Sequence, residues 1–162
     1  MPRTHWLAIA LTMAGSAAQI ASVHADAASD TQSQIQAAYT QRDTALNHFD
    51  IEGYMASYDG TYKNVSGTGK PGTTDLQRLS VISDFQHAQD LTRHETIQSV
   101  IPYNDGVTVM TVAVTTRTVK DAKTGQSVRR IDTDQDRAFW VHTKMGWRIK
   151  QERTMSRQET QG

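Results

Sequence analysis

The chain has 162 residues with 17 basic and 17 acidic side chains, so no general affinity for nucleic acid or an acidic membrane surface is indicated. It has no cysteine, which excludes disulfides, thiolate metal sites, a cysteine nucleophile and a lipid-attachment cysteine. The length favours one domain with one sizeable core, held together by packing alone.

Residues 1–27 read as a cleavable signal peptide. Arg3 supplies one fixed positive charge, Trp6 to Val23 carries no charge and is mostly Ala, Leu, Ile and Met, and Ala25-Asp26-Ala27 has the A-x-A arrangement of a cleavage site. Gly15, Ser16 and Gln19 weaken the apolar run, which argues against an uncleaved anchor. The expected location is therefore periplasmic or secreted, with no membrane attachment after cleavage at Ala25 or Ala27. Residues 28–33 are small and polar and read as a flexible leader.

A helix follows from about Gln34 to Phe49, with Ile35, Ala38, Tyr39, Leu46 and Phe49 on one stripe that only Arg42 interrupts. Asp50 can cap a shorter helix whose buried face is Ile51, Tyr54, Met55 and Tyr58. Tyr62 to Val65 reads as a brief strand and Gly67 to Gly72 as a loop. That loop lacks the G-x-x-x-x-G-K-[ST] spacing of a phosphate loop. Thr74-Asp75-Leu76-Gln77 has capping-box form and opens a third helix, with Leu76, Leu79, Ile82 and Phe85 inward.

From Leu91 the apolar period changes to two. Strands are predicted over His94–Tyr103, Val107–Val119, Ser127–Thr143 and Trp147–Thr154, with hairpin turns at Asn104-Asp105-Gly106 and Lys144-Met145-Gly146. A bulge is placed near Thr133. The folded domain is expected to span residues 34–156, and the polar tail 157–162 to fray. Three helices followed by a meander of long strands give an α+β class, with the helices packed into a strongly curved, mainly antiparallel sheet.

This order of elements resembles the nuclear transport factor 2-like superfamily, most closely its SnoaL-like branch, from about Gln34 to Met155. The features that carry the resemblance are Asp50 with Ile51-x-x-Tyr54-Met55-x-x-Tyr58, the Gly-rich loop leading into Thr74-Asp75, and the hairpin of Trp140-Val141-His142 and Gly146-Trp147-Arg148-Ile149. The resemblance implies a cone-shaped, cystatin-like fold with a pocket at its open end. It leaves function open, because the superfamily includes isomerases, dehydratases, hydrolases and assembly modules. Relatives often carry histidines where this chain has Gln151 and Arg153, so the resemblance does not carry histidine chemistry over.

Strand alternation sorts the hairpin into faces. Trp147, Ile149, Gln151 and Arg153 share one face, expected to run from the packed end of the cone to its mouth, which makes Gln151 and Arg153 pocket residues. Arg148, Lys150, Glu152 and Thr154 read as a solvated face. On the preceding strand Asp132, Asp134, Asp136, Ala138, Trp140 and His142 alternate together. The D-T-D-Q-D run lacks the Gly and closing Glu of a calcium loop, since Arg137 and Thr143 stand at those positions. Its carboxylates read as an exposed edge beside Arg129 and Arg130.

No histidine pair has metal-ligand spacing, and neither metal nor organic cofactor is expected. Two functions follow as expectations, beside a purely structural assembly module with a filled cone. One is an exported domain that binds a small, partly apolar ligand through Tyr39, Tyr54, His94, Trp140, Gln151 and Arg153, or a protein partner. It would be a homodimer through the outer positions Thr108, Met110, Val112 and Val114. The other is an acid/base isomerase, dehydratase or hydrolase with His142 or Asp136 as base, Tyr58 or Tyr39 as hydrogen-bond donor and Arg153 as anchor for an anionic substrate.

Overall fold

A computed structural model describes residues 16–65 and 71–161. The expected signal peptide, residues 1–27, falls largely on residues 1–15, outside the described residues, as does most of the Gly-rich loop. No described helix is long and apolar enough to cross a membrane. The chain divides between Ser33 and Gln34 into two compact units, and the second carries the sheet.

The elements are α1 (Ser16–Asn47), α2 (Ile51–Met55), β1 (Tyr58–Val65), β2 (Pro71–Thr73), α3 (Thr74–His87), β3 (Ala88–Tyr103), β4 (Gly106–Lys120), β5 (Ser127–Thr143) and β6 (Gly146–Gln161). The six strands form one sheet in the order β2-β1-β6-β5-β4-β3. All neighbours run antiparallel except β1 and β6, which are parallel. The α+β class and the mainly antiparallel sheet thus hold.

Local chemistry sets the element ends. Asp50 caps α2 by accepting from Gly53 N at 3.0 Å. A Cβ on Gly53 would lie 2.3 Å from that carboxylate, so the cap requires glycine there. Thr73, one residue before the predicted cap, accepts from Leu76 N at the start of α3. Asn104 at φ 51° and Gly146 at φ 90° make the two hairpin turns.

Several boundaries differ from the sequence reading. Helix α1 includes residues 28–33, where a flexible leader is predicted. Strand β6 runs on to Gln161, past the expected fraying point, because Arg157 pairs with Asp134 and Arg130 with Glu159 across the β5–β6 ladder. Strand β1 begins at Tyr58, which ends the buried face predicted for the second helix.

The predicted bulge near Thr133 is also misplaced. The β4–β5 ladder is regular from Gly106 to Lys120. The irregularities lie in β6 instead: Trp140 pairs with Ile149 but Phe139 with Gln151, and Asp136 pairs with Thr154 but Gln135 with Ser156. Lys150 and Met155 are thus the extra residues of two bulges, and each reverses which side chains face inward.

The core lies between the sheet's inner face and the helices. Ile35, Tyr39 and Leu46 of α1 meet Val107 and Val109 of β4, Trp140 of β5 and Ile149 of β6. Trp140 is wholly buried; its Nε1 donates to the Tyr39 hydroxyl at 3.0 Å and the two rings meet edge to face.

Candidate functional site

The site grows from Arg42, the polar break in the apolar stripe of α1. It is fully buried. Burial opposes its charge, but Glu95 and Glu152 outweigh that cost and hold its pKa above the ordinary arginine value. Its Nη2 donates to Glu95 and its Nη1 to Glu152 Oε1 at 3.0 Å. The guanidinium carbon lies 4.9 Å from the centroid of the Tyr39 ring.

Glu95 on β3 is fully paired. Thr111 Oγ1 donates to its Oε1 at 2.7 Å, and Arg93 Nη2 lies 3.4 Å from its Oε2. Its backbone N donates to Asp43 Oδ2 at 2.7 Å. Burial would raise its pKa, but Arg42 and Arg93 hold it below the usual carboxylate value. Arg93 also reaches Asp136 Oδ2 at 3.4 Å, joining β3 to β5.

Beside this network lies a cavity of about 430 Å³. Its walls are mostly charged and hydroxylic, with Leu46, Val81 and Leu91 as the apolar part. Three carboxylates of β5 line it, each facing an arginine from a different strand: Asp132 with Arg117 of β4 at 2.9 Å, Asp134 with Arg157 of β6 at 2.7 Å, and Asp136 with Arg93 of β3. Asp84 and Glu152 add two more acids, so the lining has five carboxylates against three guanidiniums. The reading of the D-T-D-Q-D carboxylates as an exposed edge is therefore corrected. All three are at most 4 % exposed, and their cations are not Arg129 and Arg130.

Burial and the nearby Glu152 carboxylate push the pKa of Asp136 up to about 6, outweighing a hydrogen bond from Thr154 and the charge of Arg93. Its Oδ1 is enclosed without a hydrogen-bond partner. Tyr54 lines the same cavity, and burial keeps its hydroxyl protonated above the ordinary tyrosine range. That hydroxyl is 2.9 Å from the hydroxyl of Tyr58, which in turn donates to Glu152 Oε2 at 3.3 Å.

The other residues predicted from sequence divide sharply. Tyr58 sits in the hydrogen-bond network behind the cavity, while Tyr39 and Trp140 are core and do not line it. His94 is exposed on β3 opposite Val114, away from the inward Glu95. His142 is exposed at the end of β5, packed edge-on against Trp147, so it is not placed to act as base in this cavity. Gln151 and Arg153 line a separate recess on the outer face. The Lys150 bulge is the cause: it turns Gln151 and Arg153 outward and brings Glu152 inward, reversing the predicted faces. Arg153 cannot then anchor a substrate in the inner cavity.

Sequence reasoning missed Arg42, Arg93, Glu95 and Glu152. Glu95, Asp136 and Glu152 bring carboxylate oxygens within 4.8 Å of one another, a spacing that could hold a cation; Arg42 and Arg93 supply the positive charge there.

No family model and no curated protein matches the chain. Solved structures do. A candidate scytalone dehydratase from Novosphingobium aromaticivorans matches with a TM-score of 0.69 at 12% identity, over 81% of this chain and 87% of that one. A ketosteroid isomerase-like protein from Erwinia carotovora atroseptica matches at 0.57 and 20% identity, over 76% and 95%. An NTF-2 like protein of unknown function from Shewanella oneidensis matches at 0.57 and 15% identity, over 76% and 97%. At such identities the likeness establishes the fold: nuclear transport factor 2-like, of the cystatin-like type.

Proposed function

We propose that the inner cavity admits a small polar molecule and that Asp136 exchanges a proton with it, in an isomerisation or dehydration. The observation that carries this reading is a carboxyl buried in a hydrogen-bonding cavity, held near pH 6, with one oxygen left without a partner. Such a group is half ionised close to neutral pH and can both take and return a proton.

Tyr54 is the donor. Its raised pKa keeps the proton on oxygen, so it can hydrogen-bond to charge that develops on a substrate carbonyl or leaving oxygen. Tyr58, whose own proton goes to Glu152, accepts from Tyr54 in the resting site, and Tyr54 acts as donor by turning its O–H from Tyr58 to the substrate. Arg42 and Arg93 keep Glu95 ionised behind the site, while Asp136, which lines the cavity, is pushed up to about 6. The excess of carboxylates over guanidiniums in the lining favours neutral or cationic substrates over anionic ones. The solved neighbours described as dehydratase- and isomerase-like support this class of chemistry by analogy of fold only.

The test is exchange of carbon-bound protons for deuterium in a panel of neutral cyclic ketones and hydroxyketones, followed by NMR. The wild type is expected to accelerate exchange for at least one compound, with a rate that rises through about pH 6 as Asp136 ionises. Asp136→Asn is expected to lose about 100-fold or more, and Tyr54→Phe to lose less. An Asp136→Asn variant that keeps the wild-type rate, or a rate flat from pH 5 to about pH 7, would remove Asp136 from the reaction.

A further inference from the structure

The sheet's outer face carries a second recess, of about 450 Å³, which the proposed chemistry does not use. Arg137 of β5 and Arg153 of β6 are direct cross-strand partners there. Neither makes an ion pair with any described residue, and no carboxylate lines the recess. Arg153 Nε is enclosed without a hydrogen-bond partner. Next to the arginines, Tyr103 and Phe139 form an edge-to-face pair with centroids 5.9 Å apart.

Two like charges directly opposite on a sheet oppose folding, and an enclosed guanidinium nitrogen without an acceptor adds to the cost. Most other buried or half-buried arginines meet carboxylates, as Arg42, Arg93 and Arg117 do, and Arg148 donates instead to the Trp147 carbonyl. The exception on the outer face therefore calls for an acceptor from another molecule. We propose that this recess binds a small aromatic carboxylate, whose anion takes the Arg137–Arg153 fork and whose ring lies against Tyr103 and Phe139.

The chemistry of the surrounding face favours this occupant over a second copy of the chain. The outward positions Thr108, Met110, Val112, Val114 and Gln135 are all neutral, so a copy packed on them would offer no carboxylate from these positions to the two arginines. The recess also has the size of a small-molecule site, and its mixture of two cationic groups with two rings matches an acid on a flat apolar body.

Ligand-observed NMR with the full chain tests this, using 1-naphthoate, neutral 1-naphthalenemethanol and cyclohexanecarboxylate as probes. Naphthoate is expected to bind with a dissociation constant on the order of 1 mM or below, and both other probes about tenfold more weakly. Arg137→Gln and Arg153→Gln should each weaken naphthoate by about tenfold, with circular dichroism confirming the fold, and added salt should weaken it too. Arg153→Lys, which keeps the charge but loses the fork, should fall between wild type and Arg153→Gln.

Equal affinity for naphthoate and naphthalenemethanol would overturn the proposal, as would naphthoate binding that neither arginine substitution changes. Self-association of the wild type that Arg153→Glu abolishes would assign the face to a second copy instead. None of these results depends on Asp136, so this proposal and the proton-transfer reading can fail separately.

Discussion

On the inner face of the sheet Glu95, Asp132, Asp134, Asp136 and Glu152 are buried, and each carboxylate meets an arginine. On the outer face of the same strands Arg137 and Arg153 stand opposite each other with no acid in reach. One period-two alternation produces both arrangements, since neighbouring residues on β5 and β6 belong to opposite faces. The inner charges are mutually constrained, so changing one affects the fold as well as the chemistry. The outer charges are independent of the core and can respond to a ligand.

The strongest way to break this contrast is at Arg42. Replacing it with Met leaves Glu95 and Glu152 buried without their shared cation, and the loss should be about 3–5 kcal/mol in chemical denaturation. Adding Glu95→Gln to that variant removes one of the stranded charges and should recover part of the loss. If Arg42→Met costs no more than a surface substitution, the inner network does not hold the fold.

A smaller effect is expected from Asp136, and its sign is opposite to that of Glu95. Its folded pKa of about 6 lies above its unfolded value, so the folded state holds the proton more tightly. The stability this group contributes is fully present below the unfolded value and is lost as pH rises through about 6, at a cost on the order of 2–3 kcal/mol. Glu95 behaves conversely: its folded pKa is lowered, so its contribution is present above the unfolded value and lost as pH falls through the folded one. Comparing wild type with Asp136→Asn between about pH 4 and pH 7 isolates the first term, because the other groups are common to both. Wild type should lose stability relative to Asp136→Asn as pH rises through about 6; curves that stay parallel would contradict the raised pKa.

The fold was legible in the sequence because it rests on periodicity. The helix stripe of Ile35, Tyr39 and Leu46, the Asn104-Asp105-Gly106 turn and the Trp140–Trp147 hairpin are local signals, and each corresponds to an observed element. The site was much less legible, for two physical reasons. First, a bulge leaves no mark on the alternation pattern: nothing in Ile149-Lys150-Gln151-Glu152 distinguishes a regular strand from one with an extra residue, so alternation alone places Glu152 in solvent and Arg153 in the pocket. Second, the network joins α1, β3, β5 and β6, and pairing across such separations is set by sheet order, which periodicity does not reveal. One signal was available, namely Arg42 within an otherwise apolar stripe. A guanidinium forced into a core requires buried carboxylates, and that inference would have directed attention to Glu95 and Glu152.

The smallest expected effect sharpens the contrast from the outer side. Like charges directly opposite across two strands destabilise, so relieving the Arg137–Arg153 pair should stabilise the protein. Arg137→Gln should raise stability by about 0.2–1 kcal/mol at low salt, and Arg137→Glu, which supplies the missing acid, by at least as much. Both gains should shrink at about 1 M salt, where exposed charges are screened within about 3 Å. Thermal melts at two ionic strengths measure this directly. A loss of stability in Arg137→Gln would mean that the arginine packs usefully on the sheet through its aliphatic stem, and the outer pair would then be a structural feature rather than one held ready for an anion.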